Sequence, residues 1–229
     1  MPSLPDEKTR APPMISAKGS RKGEKTRRHI LDVALREFGA FGFAATSTRQ
    51  IAAQASVNLP ALRYYFGGKE GLYLACAREI VGEYRAGMET LQSEIGRALD
   101  EGMTRQAARA SLKTVLRALV DVQIGARRAD IWMTFVQREI SEQGPAFLLL
   151  YESLWAPGVD LVADLIGRIR DEPARTEAAR LRALLLVSSL AAFGDARPIA
   201  LKYLDWPTIE PASLEQLKRA LDEQIDQIG

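Results

Sequence analysis

The chain has 229 residues, 47% of them apolar, with a formal net charge of +2. That is enough apolar material for a buried core spread over one or two domains. The single cysteine, Cys76, excludes an intrachain disulfide and a cysteine metal cluster and fits a reducing cytoplasm.

Residues 1–22 are Pro-rich and polar and contain no apolar run, so they read as neither a secretory leader nor a membrane span. We read them as a disordered basic arm. It is either a loose tail or one whose Lys and Arg residues touch the DNA minor groove or backbone. An amphipathic helix follows, including Ile30 to Gly39. The only histidine, His29, sits on it among Arg27, Arg28 and Ile30 as a surface or phosphate-proximal residue.

Residues 46–69 predict two short helices joined by a tight turn. Ser47 followed by Gln50 is a capping box, in which each side chain satisfies a backbone donor at the helix start. Ile51, Ala52 and Ala55 share the inner face. Val57 plugs the turn, Asn58 caps the second helix, and Pro60 fits its first turn. Leu62 and Phe66, four apart, face the core. Leu59, Pro60, Arg63 and Tyr64 are left pointing outward or sideways. Gly67-Gly68 ends the helix and Lys69 opens the next. With the helix before it, residues 23–70 have the sequence form of a three-helix DNA-binding domain that lays its last helix in the major groove.

Charge is distributed to match. Residues 18–70 hold ten Lys and Arg against four Asp and Glu, so this part carries +6 and the remainder −4. A basic end on a mildly acidic body suits a protein that turns one end to phosphates, although a solvated basic face would look the same.

The rest, residues 71–229, reads as helix after helix with no strand pattern. Lys69 to about Ile95 forms one long helix, and Gly96 to Gly102 forms a loop. Cys76 lies on its inner stretch as a small core residue. Leu112, Val115, Leu116, Leu119 and Val120 make one helical stripe, and Ile131, Trp132, Phe135, Val136 and Ile140 make another. A very apolar segment from Phe147 is interrupted or kinked at Pro157 before it continues to Ile169. Residues 178–193 are apolar nearly all round, and Leu214, Leu217, Leu221, Ile225 and Ile228 mark a last amphipathic helix. The segments 147–169 and 178–193 need more cover than so few neighbours provide. A second copy of the chain supplies that cover; two central core helices of a monomer are the alternative.

The N-terminal part resembles the DNA-binding domain of the TetR family of bacterial transcriptional regulators. The similarity lies in Leu62-Arg63-Tyr64-Tyr65-Phe66-Gly67-Gly68-Lys69-Glu70-Gly71-Leu72. It also lies in Ile30-Leu31-Asp32-Val33-Ala34-Leu35-Arg36-Glu37-Phe38-Gly39, followed by Phe41-Gly42 and Thr46. It covers roughly residues 24–75 in register. The body is weakly similar to the CecR-like subgroup through Phe135-Val136-Gln137-Arg138-Glu139 and a proline halfway along a long helix, Pro157. Two departures stand out. The family often has Gly in the turn where this chain has Ser56, so a left-handed turn position there is mildly strained. The family often has Tyr where this chain has Arg63, so a phosphate or guanine contact by Arg63 would be this chain's own.

The resemblance implies an all-α fold, with a helix-turn-helix domain followed by a larger helical dimerisation and ligand domain. It implies a homodimer joined through two late helices of each subunit. The partners would be a palindromic double-stranded DNA operator and a small organic effector, with no membrane and no cofactor. Tyr64 and Lys69 match family positions that meet the phosphate backbone, and Thr48 does so through its hydroxyl or the helix N-terminus. Leu59, Pro60 and Arg63 lie near base edges, and Arg49, Asn58 and Tyr65 complete the DNA-binding set. The family is one of repressors that a ligand releases by moving the helix that begins near Lys69.

For the effector, Trp132, Phe135, Arg138, Tyr151 and Trp155 on two neighbouring helices offer aromatic walls with one fixed charge. The same residues also read as plain core, with Arg138 and Glu139 as a surface ion pair. No metal-ligand spacing, nucleophile elbow or Gly-rich phosphate loop appears, so the chain is not read as an enzyme. The competing reading is an all-helical protein that binds small apolar molecules without DNA, which leaves the capped, basic helix-turn-helix unexplained.

Overall fold

The structure, a computed structural model, describes residues 17–125, 129–173, 175–194 and 196–229, and only the backbone of residues 17–22 and 129. Among them every regular element is helical. The order is α1 (Ala17–Ala45), α2 (Thr48–Gln54), α3 (Leu59–Phe66), α4 (Lys69–Asp100), α5 (Arg105–Val120), α6 (Ala129–Glu142), α7 (Phe147–Leu150), α8 (Ala156–Arg170), α9 (Glu177–Ser188), α10 (Ala191–Gly194), α11 (Arg197–Tyr203) and α12 (Pro211–Asp226). π-helical turns follow α5 at Asp121–Gly125 and α7 at Tyr151–Trp155. No single helix among the described residues is long and apolar enough to cross a membrane.

Three boundaries differ from the sequence expectation. The first helix begins at Ala17, so the end of the segment read as an arm is helical, while residues 1–16 lie outside the described residues. Helix α4 runs through Gly96 to Asp100, which reduces the expected loop to a turn that Thr104 ends by capping α5. One glycine costs a helix about 1 kcal/mol, and the burial of Ile95 and the packing of Leu99 offset it. The break before Pro157 comes earlier and wider than a simple kink. Proline supplies no N–H and crowds the carbonyl four residues back, and the π-helical turn Tyr151–Trp155 absorbs both effects.

Two apolar cores organise the chain. The first gathers Leu31, Leu35 and Phe38 of α1, Ile51 of α2, Leu62 of α3 and Leu72 and Tyr73 of α4. It also takes in Trp132, Phe135 and Val136 of α6 and Leu150 of α7. The N-terminal head is therefore not closed at residue 70, because α6 is part of its floor. The second core packs α5, α8, α9 and α12 around Leu116, Val162, Ile166, Ala183 and Leu221. Helix α4 belongs to both, with Leu72–Val81 in the first and Tyr84–Ile95 in the second.

The apolar segment 147–169 needs less outside cover than its sequence suggests. Val162, Ala163, Leu165 and Ile166 of α8 are buried within the chain, where α5 and α9 pack on it. Uncovered apolar surface lies on α9, whose Leu181, Leu184 and Leu185 are 57%, 51% and 64% exposed, at Leu148 and Tyr151 before α8, and on α11 at Ile199 and Tyr203.

Candidate nucleic-acid interface

Helices α2 and α3 are short, and side-chain caps fix where they start. The Ser47 hydroxyl accepts from the Gln50 N–H at 3.2 Å, and Asn58 Oδ1 accepts from the Ala61 N–H at 2.8 Å. The reciprocal half of the expected capping box does not form. Gln50 Nε2 instead donates to Glu37 at 2.5 Å, and Gln54 Nε2 donates to the other oxygen of the same carboxylate at 2.8 Å. Glu37 is buried, so its charge needs those donors, and they bind α2 to α1. Ser56 takes φ 52° in the turn, the left-handed position expected there. Gly67 (φ 76°) ends α3.

Burial divides α3 into two faces. Leu62 and Phe66 lie in the core, and Val57 and Tyr65 pack against it from partly buried positions. Pro60, Arg63 and Tyr64 are exposed, Tyr64 by 84%, and Leu59 is half-buried beside them. The Tyr64 ring stands edge-on to Tyr65, with centroids 5.3 Å apart. Thr48 opens α2 half-buried, and Arg49 and Asn58 are exposed. Arg27, by contrast, is committed: it lies over the Phe66 ring at 5.6 Å and 3.9 Å from Glu24. The guanidiniums of Arg49 and Arg63 form no ion pair or hydrogen bond among the described residues. This surface therefore offers two uncommitted guanidiniums, exposed aromatic and hydroxyl groups and a helix N-terminus, the donors that phosphates and base edges require.

Lys69 has a local role as well. Its ammonium donates to the Ala44 carbonyl at 3.1 Å and lies 4.7 Å from the centre of the Phe43 ring, tying the start of α4 to the end of α1. Two of its three N–H donors remain for a phosphate.

The residues expected to form one effector site divide between two places. Phe135 is buried in the first core against Tyr73, with ring centroids 4.8 Å apart. Arg138 does not face a pocket. Its guanidinium donates to the carbonyls of Gly39 and Ala40, each at 2.8 Å, and pairs with Glu142 at 2.8 Å. It therefore clasps α6 to the end of α1, where the break at Gly42 (φ 80°) frees those carbonyls. A Cβ on Gly39 would lie 3.3 Å from the Phe135 nitrogen, so the two backbones nearly touch. Glu139 is not the partner of Arg138. It is 1% exposed, accepts the Tyr73 O–H, and accepts the Ala146 N–H at 2.6 Å. Burial, and then that hydrogen bond, push the Tyr73 phenol well above its usual range. Trp132 and Trp155, however, do come together at one cavity between α4, α6 and α8. Trp155 also borders a wider groove with Tyr151, which is 48% exposed. Periodicity found the apolar side of α6 but could not tell which of its residues face the head.

A family model for bacterial regulatory proteins of the tetR family matches residues 30–76. A second, for the C-terminal domain of the HTH-type transcriptional dual regulator CecR, matches residues 108–228. CecR of Shigella flexneri is 28% identical over 211 residues, which is 90% of this chain and 92% of that one. The transcriptional regulator RutR of Escherichia coli K12 is 37% identical over 79 residues, a match confined to 34% of this chain and 37% of that one. Among solved structures, the hemolysin II transcriptional regulator HlyIIR shares the fold with a TM-score of 0.53 at 18% identity, over 88% of this chain and 97% of that one. A linker-substituted mutant of HlyIIR gives a TM-score of 0.57 at 17% identity, over 90% and 98%.

Proposed function

Because the chain belongs to the TetR family of bacterial regulatory proteins and carries a CecR-type C-terminal domain, we propose that it binds a palindromic operator as a homodimer and represses transcription until a small organic effector binds its body. The family and its relatives are transcriptional regulators and not enzymes.

The observation that carries this reading is the divided surface of α3. One face is locked into the core by Leu62 and Phe66, and the other presents Arg63 and Tyr64 to solvent. In this reading Leu59, Pro60 and Arg63 approach base edges. Thr48, Tyr64 and Lys69 meet the backbone, with Arg49, Asn58 and Tyr65 alongside. The uncovered leucines of α9 support a two-fold partner, which would set the two copies of α3 about one DNA turn, roughly 34–36 Å, apart. Helix α4 supports the effector response. It starts against α3, runs through both cores, and would carry a displacement in the body to the spacing of the recognition helices. Such coupling typically amounts to about 1–3 kcal/mol, and operator DNA must weaken effector binding by the same factor.

A gel shift against DNA upstream of the chain's own gene tests the reading. We expect binding at about 10 nM or tighter, at least a thousandfold tighter than to unrelated DNA at the same salt. Equal binding to both DNAs would refute it.

A further inference from the structure

The cavity that brings Trp132 and Trp155 together has about 100 Å³ of space. Ile80, Leu119 and Val136 supply part of its apolar wall. Among the described residues no Asp, Glu, Lys, Arg or His lines it; its side-chain polar groups are the Tyr84 hydroxyl, the Gln123 amide and the indole N–H groups of Trp132 and Trp155. Both π-helical turns border it, one through Val122 and Gln123 and the other through Leu154 and Trp155. Such turns widen a helix, cost stability, and gather at functional sites.

We infer that this chamber is the effector site and that it takes an uncharged ring bearing one hydrogen-bonding group. This rests on the effector-responsive reading above and adds the place and chemical class of the ligand. An ion entering the chamber would lose its hydration and find no counter-charge in the wall, whereas a neutral ring loses little and gains the aromatic faces. The Tyr84 hydroxyl accepts from Gln92 Nε2 at 3.4 Å, which leaves its own proton to donate inward. Burial raises its pKa, so it remains a neutral donor at physiological pH. Gly158 keeps that hydroxyl accessible: a Cβ there would sit 3.2 Å from the Tyr84 oxygen. Size limits the guest further. At about 100 Å³ the chamber is smaller than the apolar cavity of about 150 Å³ that holds benzene, so it takes no more than one ring, and that ring must extend one edge into the groove. That groove, of about 910 Å³, shares Gln123, Val136 and Trp155 with the chamber and receives a substituent; farther out it is lined by Asp160, Glu177 and Arg180 and by Leu181 and Leu184 of the α9 face proposed to meet the second copy.

Three nearly isosteric probes separate the classes: benzyl alcohol, benzoate and benzylammonium, titrated into the full-length protein without DNA and followed by ligand-observed NMR. Benzyl alcohol should bind at least about tenfold more tightly than either ion, since neither finds a partner in the wall. Gly158→Ala should weaken benzyl alcohol by about fivefold or more while operator binding is retained, because its methyl group crowds the Tyr84 hydroxyl. Equal binding of the three probes, tighter binding of an ion, no measurable binding of benzyl alcohol, or an unaffected Gly158→Ala variant would each overturn the inference. Operator gel shifts on the same preparations keep the two readings apart. Operator binding without benzyl alcohol binding removes the chamber alone. Benzyl alcohol binding without operator recognition supports the chamber and removes the regulator.

Discussion

Helices α3 and α9 each bury one face and expose the other, and what they expose differs in kind. Helix α3 sets Leu62 and Phe66 into the core and shows Arg63 and Tyr64 outside. Helix α9 sets Ala183 and Leu186 inside and shows Leu181, Leu184 and Leu185. A guanidinium costs nothing in water and gains on meeting a phosphate or a guanine. A leucine is penalised in water and gains only when apolar surface covers it. Equal exposure thus fits two different partners in the proposed reading: nucleic acid for α3 and a second copy of the chain for α9.

The strongest way to break this comparison is to place a charge on α9. Leu185→Asp should convert the dimer to a species near the 25.3 kDa of one chain, read by light scattering. Operator affinity should fall by about a hundredfold or more as the linked half-sites become independent. The same change at Leu186, which is 5% exposed, should unfold the body instead, so the pair separates an interface from a core. If the unmodified protein has the mass of one chain at micromolar concentration, α9 is not an interface. On α3, Arg63→Ala should cost about 1–3 kcal/mol and relax preference at one position of each half-site, read by binding to a panel of operator variants. A uniform loss across the panel would make Arg63 a backbone contact. The smallest effect belongs to Lys69→Ala. It should weaken all sequences alike and reduce the salt slope by about one phosphate contact per subunit, with the α9 interface untouched. An unchanged slope would leave Lys69 with only its bond to Ala44.

How much the sequence revealed depended on the range of the interaction. Ser47, Asn58, Leu62 and Phe66 were legible because a cap and a buried stripe are set by residues three or four apart. Glu37 was not, because its partners Gln50 and Gln54 lie 13 and 17 residues away on another helix. Arg138 reaches Gly39 across 99 positions, and Tyr73 reaches Glu139 across 66. A signal was nonetheless present. Glu139 falls four residues after Phe135 and three after Val136, a carboxylate on an apolar stripe, and such a group must find a donor when the stripe is buried. The candidate DNA-binding residues came from local chemistry and, for Tyr64 and Lys69, from the family resemblance, and they lie on or beside α2, α3 and the start of α4. The candidate effector residues came from aromatic spacing and separated, because α6 has apolar neighbours on two sides.

The contact of Arg138 with the carbonyls of Gly39 and Ala40 also bears on hybrid regulators assembled from parts. Joining this head to a foreign body just before α4 would keep every residue of α1 to α3 yet strand two carbonyls and set a new side chain against Gly39. Grafting between such proteins therefore needs residues 39 and 138 exchanged as a matched set. A chimera that carries both should recover the operator affinity that a cut at residue 70 forfeits.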